Sequence, residues 1–415
     1  MLSFRTLAFY GMPALPVALL GLPLYIYLPT FYARELGIGV ALVGLILLAA
    51  RLFDMITDPV IGVVSDRLGS RKTPMLAGAV LIMGAFFALS HPVEGAGALW
   101  LLLFSLPVYT GWSLLSIPYL ALGAEISPDY HEKTRLSAAR ESGAILGAVL
   151  ALTLPYAFGI ADRAGETLHL MWQALLLSLP MVMLATRYGI PDPETKPKPQ
   201  RPTLQALTQL LGRHDGTLRL MAAYFINNLA NAFPATLFLF FVELVLVAPD
   251  STGMLLLFYF ASGLAALPLW TMLARRIGKH RSWMTSMVLA ASVFAFVPFL
   301  GEGDTTAFTL ICLLSGLSLG ADMALPASIQ SDIANAAEGR CERVSGILFG
   351  LWSALTKLAL ALSVGIAFSI LGLVGFTPDT PSSNALLTLS LLYGGVPVML
   401  KLFSLFLLRH YREVS

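Results

Sequence analysis

Residues 51–72 read Arg51-Leu-Phe-Asp54-Met-Ile-Thr57-Asp58-Pro59-Val-Ile-Gly62-Val-Val-Ser65-Asp66-Arg67-Leu-Gly69-Ser-Arg71-Lys72. An apolar segment carrying two aspartates runs into a basic, glycine-containing loop. A charge at the centre of a bilayer costs at least about 2.5 to 3.5 kcal/mol on insertion scales, so acids placed there must be offset by something paired with them or bound to them. Asp54 and Asp58 are i and i+4 and leave one helix face, with Thr57 beside them. Two carboxylates that close repel each other unless a cation or a proton is shared between them. Carboxylate and hydroxyl oxygens without His or Cys suit a hard ion, which makes Asp54 and Asp58 a Na+ candidate, or a transferable proton. Pro59 disfavours the helical conformation at Asp58 and removes one N–H, which can free a carbonyl toward the same place. The alternative is a structural pair neutralised by Arg51 at i−3 and by Lys357 from another helix.

The bilayer setting comes from composition. Hydrophobic residues make up 57% of the 415-residue chain and charged residues 12%, with a mean hydropathy of +0.78; soluble domains carry roughly 25% charge. A span needs about 20 mostly apolar residues. Twelve such stretches are read here, at 6–32, 41–63, 75–91, 98–122, 137–160, 168–188, 218–246, 252–274, 283–301, 306–330, 345–373 and 384–408. Continuous apolar runs exclude a β-barrel, which alternates every second residue. The first span is too long for a cleaved leader and is read as retained. The two cysteines, Cys312 and Cys341, imply neither a disulfide framework nor a metal site.

Lys and Arg give the orientation. With both termini cytoplasmic, only Arg34 and Arg163 lie in outer loops, Arg51, Arg140 and Lys357 lie within spans, and the rest of the 26 basic residues fall inside. The formal net charge of +2 reflects this asymmetry and calls for no nucleic acid. A Pro- and charge-rich segment, Pro191 to Pro202, cannot be a continuous helix and separates the spans six and six. The expected organisation is a six-helix bundle at 1–190, a cytoplasmic linker at 191–217 and a second bundle at 218–415. The basic loop at 62–72 has a weaker echo, Leu273-Ala-Arg275-Arg276-Ile-Gly278-Lys279-His280-Arg281, at the same place in the second half.

Twelve helices in two six-helix halves, with this loop repeated, resemble the major facilitator superfamily, whose halves rock about a midplane site. Asp54-x-x-Thr57-Asp58-Pro59-x-x-Gly62-x-x-x-Asp66-Arg67, preceded by Arg51, resembles more closely the hallmark of the glycoside-pentoside-hexuronide:cation symporters, a family that includes sodium-dependent lysophosphatidylcholine transporters. Tyr10-Gly11, Ser116-Ile117-Pro118, Arg140 and Trp352-Ser353-x-x-Thr356-Lys357 extend the likeness along nearly the whole chain. The resemblance implies an all-α membrane protein in which Asp54, Thr57, Asp58 and Ser113 bind the cation. It implies that Lys357 lies between cation and solute, pairing with the aspartates when the ion is absent, and that Arg140 faces the solute or its acidic neighbours. Asp66, Arg67 and Arg71 would form the gating loop. Glu141 is expected to point toward the loops. Where the sugar symporters carry solute-gripping acids and a stacking tryptophan, this chain has Ala18, Ser116 and Leu120, so its pocket is less acidic.

Other polar residues in spans are candidates for solute contact. Asn227 and Asn231 share a face of the seventh span; Trp112, Trp352 and Ser353 can line a cavity; Asp322 in the tenth span can take a cationic group, serve as a second proton site or pair with Lys357. No nucleotide-binding loop and no nucleophile with a base is found, so the chain is not expected to be an enzyme or to hold a cofactor beyond its coupling ion. The reading is a monomeric, cation-coupled symporter of a small solute in a bacterial inner membrane, favouring a sugar or glycoside. The alternatives are a lysophospholipid or other amphiphile as solute, a proton-coupled exporter, and a non-transporting receptor.

Overall fold

The structure is a computed structural model and describes residues 2–68, 70–127, 129–160, 163–190, 215–338, 345–376 and 382–409. The interdomain linker, the end of the 62–72 loop at Gly69 and Cys341 lie outside or partly outside these residues. All of the regular structure in the described residues is helical. Among the described residues eleven helical spans are long and apolar enough to cross a membrane: α1 (Phe4–Ala33), α3 (Lys72–Ser90), α4 (Ala98–Ile126), α5 (about 27 residues within Tyr130–Ala157), α6 (Ala164–Gly189), α7 (Asp215–Phe240 with its continuation), α8 (Thr252–Ile277), α9 (Lys279–Phe294 with its continuation), α10 (Thr305–Glu338), α11 (Ser345–Leu373) and α12 (Ser383–Leu408). A further helix, α2 (Val40–Arg67), has 28 residues and at about 1.5 Å per residue also reaches across. The twelve helices match the twelve expected spans in order.

α2 is inside out relative to a helix of a soluble protein. Leu45, Leu48, Ile56, Val60 and Val64 are exposed, whereas Asp54, Asp58 and Asp66 are buried. A helix that turns its apolar side outward and its acids inward is one whose solvent is lipid.

Helix ends explain where spans extend past the hydropathy pattern. α5 begins seven residues before the expected 137 because Asp129 caps it, its carboxylate accepting from the N–H groups of His131 and Glu132. Those N–H donors, that of Glu132 foremost, hold the Asp129 carboxyl below its ordinary range. α1 is interrupted by two π-helical segments, Pro23–Tyr27 and Phe31–Glu35. A proline has no N–H to give the i→i−4 ladder, so the prolines of α1 favour such irregular turns.

The chain divides into two compact units. The first comprises 1–207 with 330–354, the end of α10 and the beginning of α11. Its core is built on Leu20, Leu24, Tyr32, Phe86, Leu115 and Leu168. The second comprises 208–329 with 355–415 and is cored by Phe233, Phe241, Phe308 and Tyr393, the rings of Phe241 and Tyr393 stacking at 4.4 Å.

Candidate functional site

In the first unit, α2 and α4 bring the candidate cation ligands together. Asp54 and Asp58 are 1% and 0% exposed, one turn apart on the buried face of α2. The Ser113 hydroxyl of α4 donates to Asp54 Oδ1 at 2.7 Å, a charge-assisted bond that fixes one carboxylate oxygen and leaves hydroxyl lone pairs facing the same space. Thr57 donates its hydroxyl back to the Asp54 carbonyl at 3.0 Å, so its oxygen keeps acceptor capacity while its rotamer is set. The donor set is entirely oxygen, as a hard monovalent cation requires. Among the described residues no group of three or more His, Cys, Asp or Glu suits a transition metal.

One turn before Asp54, Arg51 does not neutralise the pair by ionic contact. Its guanidinium lies over the rings of Tyr25 and Tyr109, 4.0 and 4.9 Å from their centroids. Tyr109, Trp112, Ser113 and Ser116 follow one another at helical spacing along α4. Trp112 is half-buried, its ring lying where a Cβ on Gly21 would touch it. The Ser116 hydroxyl is buried and has no hydrogen-bond partner among the described residues.

Arg140 of α5 departs from expectation. Its guanidinium donates to Glu141, the neighbouring residue, and the two form an ion pair. Glu141 is buried rather than turned toward a loop, because desolvating an arginine without a counter-charge costs more than bending two adjacent side chains together. The rings of Tyr10 and Tyr119 meet nearby at a tilt, 4.9 Å between centroids, each hydroxyl donating to the other's backbone carbonyl.

The loop residues separate in role. Arg71 is buried, donating to Asp66, to Ser65 at 2.8 Å and to Glu125, with its Asp66 contact at 2.7 Å. Burial works against its charge, but the carboxylates of Glu125 and Asp66 outweigh it and raise the guanidinium above its ordinary range. Asp66 also accepts from the N–H groups of Gly346 and Ile347, at 2.8 and 3.0 Å, satisfying two of the donors that the first turn of α11 leaves open. α2 and the start of α11 meet backbone to backbone: a Cβ on Gly62 would strike the Gly346 carbonyl, and one on Gly350 would come within 2.6 Å of the Asp58 carbonyl. Arg67 is exposed and belongs to none of these contacts. Trp352 is buried and Ser353 half-buried on the same stretch of α11.

In the second unit, Asp322 pairs with Lys401 and not with Lys357. Its carboxylate accepts from Lys401 at 3.1 Å, Asn231 at 3.0 Å and the Trp283 indole at 2.8 Å; Lys401 also donates to Asn227 at 2.9 Å. Lys401 therefore sits inside the twelfth span, 3% exposed, and not on the basic inner side where the charge count places it. A lysine in an 18-residue apolar run is legible as intramembrane; its acid partner, 79 residues away, is not. Glu125 and Trp283 were likewise unmarked, being an acid at a helix end and one aromatic among many. Lys357 follows Thr356, whose hydroxyl bonds that of Tyr224 at 2.7 Å.

The family model described as MFS/sugar transport protein matches residues 9–412. The chain belongs to this family. An uncharacterized symporter of Synechocystis sp. is 30% identical over 39% of this chain and 32% of its own length. The sodium-dependent lysophosphatidylcholine symporter 1-A of Danio rerio is 21% identical over 95% of this chain and 83% of its own. The glucuronide carrier protein homolog of Escherichia coli is 22% identical over 85% and 79%. Among solved structures, the E. coli fucose:proton symporter FucP superposes with a TM-score of 0.70 at 13% identity, covering 96% of this chain and 98% of that one. The fold is thus that of a major facilitator transporter, in an integral membrane protein.

Proposed function

We propose that this protein is a cation-coupled symporter in which Na+ or H+ is held by Asp54 and Asp58, with Thr57 and Ser113 completing the oxygen set. The solute is a small polyhydroxylated molecule of the sugar or glycoside class. The observation that carries the reading is the hydrogen bond from Ser113 to Asp54 at 2.7 Å: a second helix supplies an oxygen to two buried carboxylates. A relative named as a glucuronide carrier protein homolog supports the solute class. The relative with a lysophospholipid substrate supports an amphiphile as the second reading.

Two carboxylates close together repel, and a bound cation removes that repulsion. Lys357 would occupy the aspartates when the ion is absent and be released when it binds, so ion and solute favour each other's binding by linkage. The six-helix halves at 1–190 and 218–415, joined by 191–217, would rock to present the solute to either side, with the Asp66–Arg71–Glu125 cluster and the α11 cap closing one of them. The chain would work as a monomer in a bacterial inner membrane with both termini cytoplasmic, the side that the basic residues favour. Moving one positive charge inward across 100 mV supplies about 2.3 kcal/mol, enough to concentrate a neutral solute.

The test is the melting of purified protein in Na+, Li+ and choline at constant pH. Na+ should raise the midpoint by mass action, and Asp58→Asn should remove that response. An unchanged response in Asp58→Asn would refute the site, and a non-transporting receptor predicts that outcome.

A further inference from the structure

Arg51 and Arg140, well inside α2 and α5, have different surroundings. Arg140 is neutralised by Glu141. Arg51 touches no carboxylate among the described residues; two aromatic faces hold it instead. Ring faces attract a cation and orient it, yet leave its charge in place. Arg51 stands about 17 Å along α2 from its first residue, at about 1.5 Å per residue, close to the middle of a 28-residue helix. At that depth it is poorly placed to reach water by extension alone.

The cradle is shaped for a ligand. Tyr25 belongs to the π-helical segment Pro23–Tyr27, an irregularity of the kind that recurs at functional sites. Tyr109 is buried, while Arg51 is half-buried and Tyr25 is 49% exposed. One N–H of the guanidinium bonds the Tyr109 hydroxyl, and the other N–H groups can form charge-assisted bonds of the kind that a carboxylate or a phosphate accepts. Seven residues along α4 from Tyr109, the buried Ser116 hydroxyl has a proton to give and no partner.

We infer that Arg51, cradled by Tyr25 and Tyr109, anchors an anionic group of the transported solute, a carboxylate or a phosphate, with Ser116 as a further donor. This rests on the reading of Asp54 and Asp58 as the cation site. Asp54 and Asp58 stand three and seven residues along α2 from Arg51, so a cation bound to them attracts an anion held at Arg51.

The experiment measures ligand-induced melting shifts of purified protein at saturating Na+, using matched pairs: methyl β-D-glucuronide against methyl β-D-glucoside, and glycerol 3-phosphate against glycerol, with lysophosphatidylcholine as a third arm. At least one anionic probe should bind about tenfold or more tightly than its neutral twin, or lysophosphatidylcholine alone should bind. The arm that responds distinguishes a sugar acid, a free phosphate ester and a lipid headgroup. Arg51→Gln should abolish that preference while retaining the Na+ shift, and Arg51→Lys should keep part of it. If Arg51→Gln loses the Na+ shift as well, Tyr25→Leu decides: a threefold or greater loss of anion affinity supports the inference and unchanged affinity overturns it. Equal affinity within both matched pairs with no response to lysophosphatidylcholine overturns it, as does an anion preference that survives Arg51→Gln. A wild-type protein that prefers the anion but shows no Na+ shift would sink the cation reading and leave the role of Arg51 standing.

Discussion

Ser113 contributes to the candidate cation site through one hydrogen bond, and its removal isolates that contribution. A hydrogen bond to a charged group is worth about 1.5 to 3 kcal/mol, so Ser113→Ala should weaken Na+ affinity by roughly tenfold or more, at about 1.4 kcal/mol per decade. A Na+ titration of the melting midpoint reads this directly, and an unchanged half-saturation would show that Asp54 is positioned by other means. Thr57→Val should also weaken Na+ binding, because it removes a hydroxyl oxygen whose lone pairs remain available while its proton goes to the Asp54 carbonyl. At this scale much was legible in the chain: an acid in a span must be compensated, and the i, i+4 spacing put both acids on one face. What a sequence does not carry is which neighbour compensates which charge. Arg140 with Glu141 and Asp322 with Lys401 are decided by side-chain reach and by the angles of helix packing.

Among elements, the α2–α11 contact depends on having no side chains at its closest points. Gly346→Ala would set a Cβ within 2.6 Å of Asp66 Oδ1 and against the Gly62 carbonyl, prying the Asp66 carboxylate from the N–H groups of Gly346 and Ile347. Faster hydrogen exchange at 345–350 in Gly346→Ala than in wild type is the expected result. The Asp322–Lys401 pair joins α10 to α12, with α7 and α9 contributing Asn227, Asn231 and Trp283. Removing one member of a buried pair costs about 3 to 5 kcal/mol because the other charge stays behind, whereas replacing both with apolar residues can be nearly neutral. Lys401→Met and Asp322→Leu should therefore each lower the melting midpoint of the purified protein, and the double variant should recover most of the loss. If the double variant melts no higher than either single one, the pair does more than balance charge. Element boundaries followed from hydropathy to within a few residues; the exceptions, such as the early start of α5, were set by a cap at Asp129, a feature outside the apolar pattern.

For the molecule as a whole, the charge of the solute decides how the membrane potential acts. A symporter that moves one Na+ with a monoanion carries no net charge, whereas the same cycle with a neutral glycoside carries one. In proteoliposomes with a potassium-diffusion potential, uptake of methyl β-D-glucuronide should be insensitive to voltage under a fixed Na+ gradient. Uptake that rises with an inside-negative potential would indicate additional ions per cycle. The major facilitator architecture was legible from span count, the break after the sixth span and the loop at 62–72, because lipid forces each helix to declare itself as a long apolar run. The solute was not, since specificity resides in a few side chains whose neighbours come from distant segments, as Tyr25, Arg51 and Tyr109 do.

The π-helical turn at Pro23–Tyr27 amounts to one residue more than a regular helix needs over the same length. Deleting a single residue there would restore ordinary winding and rotate everything on one side of the turn by about 100° relative to the other. Tyr25 would leave the guanidinium of Arg51, while Asp54, Asp58 and Ser113 on α2 and α4 would keep their places. If Arg51 anchors the solute, a one-codon deletion here would alter solute choice and leave the candidate ion site in place.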